Sequence, residues 1–286
     1  MSNKKKGIIF ILSAAFWFSL MTVFIRMSGD LPTMQKSLFR NAVAAVTAWG
    51  IIFKTGTKVQ FNKGQFRDLM CRSFFGTVGI VTNYYAVDHM NIADANMLNK
   101  LSPFFAIIAS AIILKEKASK TEFAAVIAAF IGALFVIKPG FQVNNFPAVV
   151  GVIGGLTAGI AYTFVRKLGQ TGLPGPIIVM FFSMFSTISV LPFFIAQYEP
   201  MSSRQLALLL MAGLCAAGGQ LSITKAYTYA PARDLSVFDY SQIVFASIWG
   251  FLFFSQLPDI WSFIGYVIII GAAVTKFTVQ KRAVQN

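Results

Sequence analysis

Apolar residues run along this chain in long blocks separated by short stretches rich in Lys, Arg, Gly and Pro. One crossing of a ~30 Å hydrocarbon core needs about twenty such residues in helical form. On that measure the chain has ten candidate spans: Ile8–Ile25, Thr33–Phe53, Leu69–Val87, Ala95–Leu114, Thr121–Lys138, Pro147–Val165, Gly175–Ala196, Leu206–Ala226, Leu235–Ser255 and Ile260–Thr278. The first block follows Lys4, Lys5 and Lys6. It is longer than a signal-peptide core and has no convincing small-x-small cleavage site, so it reads as a span.

The distribution of basic residues tests the count of ten, because a missing span would scramble the charge alternation between loops. With the N-terminus inside, seventeen of the 24 Lys and Arg fall at inner ends, including Lys54, Lys58, Lys63, Arg67, Arg72, Arg166 and Lys167. Four, Arg26, Lys36, Lys138 and Arg204, fall at outer ends, and three, Arg40, Lys100 and Lys225, fall within spans. The bias predicts ten transmembrane helices with both termini cytoplasmic, an all-α integral membrane protein.

Two blocks carry most of the polar surprises. Asp94 to Lys117 reads DANMLNKLSPFFAIIASAIILKEK, and Asp234 to Pro258 reads DLSVFDYSQIVFASIWGFLFFSQLP. An offset of 140 sets Asp94 on Asp234, Asn99 on Asp239, Lys100 on Tyr240, Ser102 on Gln242 and Glu116 on Gln256. The same offset matches Phe24 with Phe164, Arg26 with Arg166, Gly79 with Gly219 and Ala86 with Ala226. This predicts a repeat at 1–140 and 141–286. Each half holds five spans, an odd number, so the second enters from the opposite side and the repeat is inverted, a recurring plan of secondary transporters.

Composition narrows the function classes. Charged residues are 12% of the chain and apolar ones 56%, with 30 Phe, a membrane balance. The net charge of +14 is dispersed between apolar runs, which fits lipid headgroups rather than nucleic acid. Cys71 and Cys215 lack disulfide or metal spacing, and no metal or cofactor is expected. His89 is the sole histidine; no HExxH, catalytic triad or phosphate loop appears, and GTVG at Gly76–Gly79 is too short to count, so an enzyme has little support.

The candidate chemistry is polar groups held inside spans. Pro103 removes a helical donor and predicts a kink that frees the carbonyl of Asn99 beside Asn99, Lys100 and Ser102. Lys100 is about 9 Å into its span and Arg40 about 10 Å into another. A charge kept there costs about 2.5–3.5 kcal/mol, so it either snorkels or faces a partner or wet cavity. Asp239 lies about 8 Å from the opposite side, where its bland reading is an acid on a helix N-terminus or on Arg233. On straight helices Lys100 and Asp239 are ~13 Å apart in depth, so no static ion pair is expected. Each instead guards one approach to a central site, and Pro103 gives its span a mobility that the mate, with Ile243, lacks.

Tyr240 and Gln242 complete the expected site. Trp17 is core packing or a cavity wall; Asn83, Tyr84 and Tyr85, with Gln220, Ser222 and Thr224, line a cavity or bond between helices; Lys225 snorkels. Gly151, Gly155 and Gly159 form two successive GxxxG spacings, a helix-packing face. The substrate-binding candidates are therefore Trp17, Arg40, Asn83, Asn99, Lys100, Ser102, Asp239, Tyr240 and Gln242, with Pro103 as the kink.

The run YAVDHMNIADANMLNKLSPFFAIIASAIILKEK, Tyr85 to Lys117, resembles the drug/metabolite transporter superfamily, specifically its ten-helix EamA type, through an Ala-bearing third-span end, a short loop, a mid-helix Pro and a closing Glu. The resemblance covers the whole chain; the second copy departs from it with Ile243 at the Pro position and Gln256 at the Glu position. It implies gradient-driven or exchange transport of small metabolites through a central cavity, amino-acid export being common. The expectation is thus a secondary transporter of a small polar metabolite, such as an amino acid or related zwitterion, working by alternating access in a bacterial cytoplasmic membrane. Its partners would be substrate, bilayer and a coupling proton. An exporter of hydrophobic amines is the alternative, and a channel a further one.

Overall fold

The computed structural model describes residues 2–89, 98–116, 118–137, 145–255 and 259–282. Among these, all regular structure is helical: α1 Asn3–Met27, α2 Thr33–Thr55, α3 Lys63–His89, α4 Ser102–Ile113, α5 Lys120–Ile137, α6 Asn145–Gln170, α7 Gly175–Ala196, α8 Ser203–Tyr229, α9 Ala232–Asp239, α10 Ser241–Phe254 and α11 Ile260–Arg282. Among the described residues the expected spans are helical, the fourth being interrupted before Ser102 and the ninth split into α9 and α10. Asp94, Lys117, Gln256 and Pro258 lie outside the described residues. Among the described residues, five stretches are long and apolar enough to cross a membrane: Asn3–Met27, Val149–Gln170, Gly175–Ala196, Ser203–Tyr229 and Ala232–Phe254.

Local chemistry explains the helix ends. Ser202 and Gln205 form a reciprocal capping box at the start of α8, satisfying backbone donors that no helical carbonyl reaches. Gly56 ends α2 at φ 62°, a left-handed conformation that glycine adopts without a Cβ clash. Pro32 and Pro174 stand just before α2 and α7, extended at ψ 135° and 131°. Among the described residues, two non-glycine residues have positive φ, Lys115 at 58° and Ser255 at 52°, and they are 140 positions apart. The repeat register thus extends to the turns that close α4 and α10.

The helices cluster into two units, 1–77 with 164–230 and 78–163 with 231–286, so each unit draws on both halves of the sequence. In the first unit α1 and α2 pack on α8, and α2 also packs on α7. Close approach is set by glycines of α8: a Cβ at Gly218 would lie 2.9 Å from the Trp17 ring, and one at Gly219 2.5 Å from Phe18. In the second unit α5 packs on α11 and α4 on α9. There the α6 glycines take up the fourth span: a Cβ at Gly155 would lie 2.7 Å from the carbonyl oxygen of Leu98, and one at Gly159 2.7 Å from the Ala106 nitrogen. Small residues let backbones meet where lipid supplies no hydrophobic drive.

Candidate functional site

Two helix interruptions build the site in the second unit. The fourth span does not run through Pro103 as a kinked helix. It is broken before it, with Lys100 and Leu101 in a turn and α4 starting at Ser102, which places Pro103 in the first helical turn. There a missing N–H costs no helical bond. The Phe104 N–H donates to Leu101 O at 3.0 Å, which leaves the carbonyl of Lys100 without its helical donor as well. The Tyr240 hydroxyl donates to Lys100 O at 2.8 Å.

The ninth span breaks at Tyr240 itself, between α9 and α10, and the Ile243 N–H donates to Tyr240 O at 3.0 Å. The span without a proline is therefore interrupted as well. Phe130 sits edge-on to Tyr240 at 6.5 Å and to Phe104 at 5.3 Å, fixing a ring that is fully buried. With the Tyr240 hydroxyl spent on a backbone carbonyl, the break has a side-chain anchor instead of a proline.

Across these breaks Lys100 Nζ lies 3.6 Å from Asp239 Oδ2 and donates to Gln242 Oε1 at 2.8 Å. The expected separation is therefore overturned: Lys100 and Asp239 form an ion pair. The depth argument assumed continuous helices entering from opposite sides, whereas both spans end a helical segment at this point and the interruptions abut. The two side chains retain only 14% and 16% of their exposure, so each charge depends on the other. Ser236 ties the same spans together, its hydroxyl donating to Ala232 O at 2.7 Å and reaching Pro103 O at 3.3 Å.

Of the expected residues, Lys100, Asp239, Tyr240 and Gln242 thus come together. Ser102 is buried with its backbone nitrogen on the Gly155 face, Asn99 is half-buried one turn earlier, and Asn83 is half-buried where α3 meets Gly154. Trp17 and Arg40 belong to the first unit. Trp17 packs on Gly218, and Arg40, 9% exposed, reaches Asn41 Oδ1 at 3.5 Å. Lys225 is exposed with its ammonium 5.1 Å from the Phe10 ring, in keeping with a snorkelling side chain.

Arg72 was missed by the charge count, which placed it at an inner end. It is 2% exposed inside the first unit, its guanidinium 3.9 Å from the Phe182 ring centroid and donating to Gln220 Oε1 at 3.3 Å. The available signal was its position inside the Leu69–Val87 block, four residues before Gly76. Lys167, also counted at an inner end, donates to the buried carboxylate of Asp68 at 2.9 Å.

Helices of spanning length, with charged groups paired at helix breaks inside them, define a polytopic membrane carrier. The chain belongs to the EamA-like transporter family, whose profile matches it twice, at residues 5–138 and 145–277. It is similar to the pseudopaline exporter CntI of Pseudomonas aeruginosa, 29% identical over 281 residues that cover 97% of this chain and 98% of that one. It is also similar to the riboflavin transporter of Vibrio cholerae, 23% identical over 96% of this chain and 95% of the relative. Solute carrier family 35 member G1 of Mus musculus is 25% identical over 96% and 78%. A solved crystal structure superposes with a TM-score of 0.81 at 13% identity, covering 96% of this chain and 98% of that one, a likeness of fold. The chain is accordingly a multi-pass membrane transporter rather than an enzyme.

Proposed function

We propose that the protein exports a small polar metabolite carrying both an acidic and a basic group, an amino acid or related zwitterion, by alternating access between inverted repeats at 1–140 and 141–286. The observation that carries this reading is the Lys100–Asp239 pair, with Nζ also held by Gln242. A buried ion pair cannot simply open, because each bare charge would be left without compensation. A zwitterion resolves this by exchange: its carboxylate takes the place of Asp239 at Lys100, and its ammonium takes the place of Lys100 at Asp239. The empty and loaded carriers are then both neutralised at this point and both can change conformation, while half-exchanged states are held back. Lys100, Asp239 and Gln242 would bind cargo, with Ser102 and Asn99 at the mouth of the break and Tyr240 fixing it. Arg40 and Trp17 would contact cargo within the first unit, and Asn83 within the second.

The name of the pseudopaline exporter supports export as the direction. A proton is the coupling ion in this reading. The charge bias favours cytoplasmic termini in a bacterial inner membrane.

The test is counterflow of labelled amino acids and other zwitterions in proteoliposomes, with and without a pH gradient. Lys100→Ala and Asp239→Asn should each lower flux at least ten-fold. Variants that carry every candidate as well as the parent would sink the site. The aromatic series Phe104, Phe130 and Tyr240 beside Asp239 favours one second reading, an exporter of hydrophobic amines. Competition by aromatic cations but not by amino acids would select it.

A further inference from the structure

Besides Arg40, the first unit holds an interior cation in a setting built from three helices. Arg72 of α3 lies on the Phe182 ring of α7 and on Gln220 of α8. Gly76, one turn beyond Arg72, makes room for it: a Cβ at Gly76 would overlap Arg72 Nη1 and come within 2.7 Å of the Phe182 ring. The contact between α3 and α7 continues as a seam of hydroxyls, in which Thr77 and Ser186 bond at 2.6 Å.

Ser73 precedes Thr77 by four residues and Ser183 precedes Ser186 by three, so helical spacing sets both in the same seam, beside Arg72 and Phe182. Both are fully buried at 0% exposure, and neither hydroxyl has a hydrogen-bond partner. A buried hydroxyl left unbonded costs stability, and two in one seam is a pattern that packing alone does not reward. Hydroxyl and guanidinium N–H groups are all donors. The chemistry that would use them together is a group with two acceptor oxygens and a negative charge, which the guanidinium fork matches in geometry as well as sign.

We propose that Arg72, Gln220, Ser73 and Ser183 form a carboxylate-binding subsite that takes an acidic group of the transported cargo. It rests on the reading of the chain as a carrier of zwitterionic metabolites, and it adds a second acidic contact in the first unit.

The test is thermal unfolding of the purified full chain in detergent, with sodium succinate, succinamide, sodium phosphate or sodium chloride, the salts at equal ionic strength. Succinate at about ten times its dissociation constant should raise the midpoint by about 3 °C over chloride, and succinamide should not. In the Ser73→Ala/Ser183→Ala double variant the midpoint without ligand should be unchanged or higher, because unbonded hydroxyls are removed, while the succinate shift falls by half or more. Arg72→Lys should lose the shift.

Equal midpoints in succinate and chloride would overturn the subsite, as would a serine double variant that responds like the parent. A larger shift with phosphate than with succinate would assign the seam to phosphate and refute the carboxylate reading. The exchange site is read by zwitterion counterflow in Lys100→Ala and this subsite by the succinate shift in the serine double variant, so a failure of one and a failure of the other are separately visible.

Discussion

The hydroxyl of Tyr240 donates to the carbonyl oxygen of Lys100 at 2.8 Å, and the two residues stand 140 positions apart, the offset at which the chain's two halves match. Equivalent points of the repeat therefore touch. The family profile gives the same spacing, with matched copies that begin at residues 5 and 145. One mate contributes a backbone carbonyl freed by a helix break, and the other the side chain that satisfies it.

Tyr240→Phe removes that donor and leaves Lys100 O buried without it. The expected cost is about 1–3 kcal/mol of stability. Unfolding of the variant in mixed micelles, compared with Phe130→Leu as a control for ring packing, measures it. No change would mean that water replaces the hydroxyl.

Single neutralisation of either member of the Lys100–Asp239 pair should destabilise the protein by about 3–5 kcal/mol, because it leaves one uncompensated charge. The Lys100→Met/Asp239→Leu double variant should recover most of that loss yet remain inactive in counterflow. A double variant that transports would show the pair to be structural only.

Gly159→Leu should prevent α6 from docking on the fourth span, since even a Cβ there meets the Ala106 nitrogen and Phe105 at 2.7 Å. Overpacking costs typically ~1–3 kcal/mol and more where the neighbour is backbone. Gly172→Ala meets nothing within 4 Å but has φ 78°, so its smaller cost would come from backbone strain alone. Folded yield and melting temperature in detergent separate the two.

The inverted repeat makes a prediction about sidedness. Lys58 and Tyr198 are 140 residues apart, in the connections after α2 and after α7. In a background without Cys71 and Cys215, a cysteine at 58 should react with an impermeant reagent only from the cytoplasmic side, and one at 198 only from outside. Labelling of both from one side would refute the inversion.

The spans, the repeat register and the family were legible in the sequence because each is written in local runs of residues: apolar blocks long enough to cross a bilayer, basic clusters between them, and paired motifs at a fixed offset. The broken character of the fourth span was legible through Pro103, but the break at Tyr240 was not, because it depends on a hydroxyl meeting a carbonyl from the other half of the chain. Arg72 was hidden for a related reason. A basic residue three positions into an apolar block reads the same whether it turns out to headgroups or inward onto Phe182 and Gln220, and only packing decides which.

The sequence alone determined that ionisable groups stand inside the membrane, since burial of a spanning helix follows from its own composition. Only the tertiary structure decided which of them meet. Lys100 and Asp239 are separated by depth on uninterrupted helices and joined at 3.6 Å here, because two helix ends brought together shorten a path that residue counting along either strand of the repeat cannot measure.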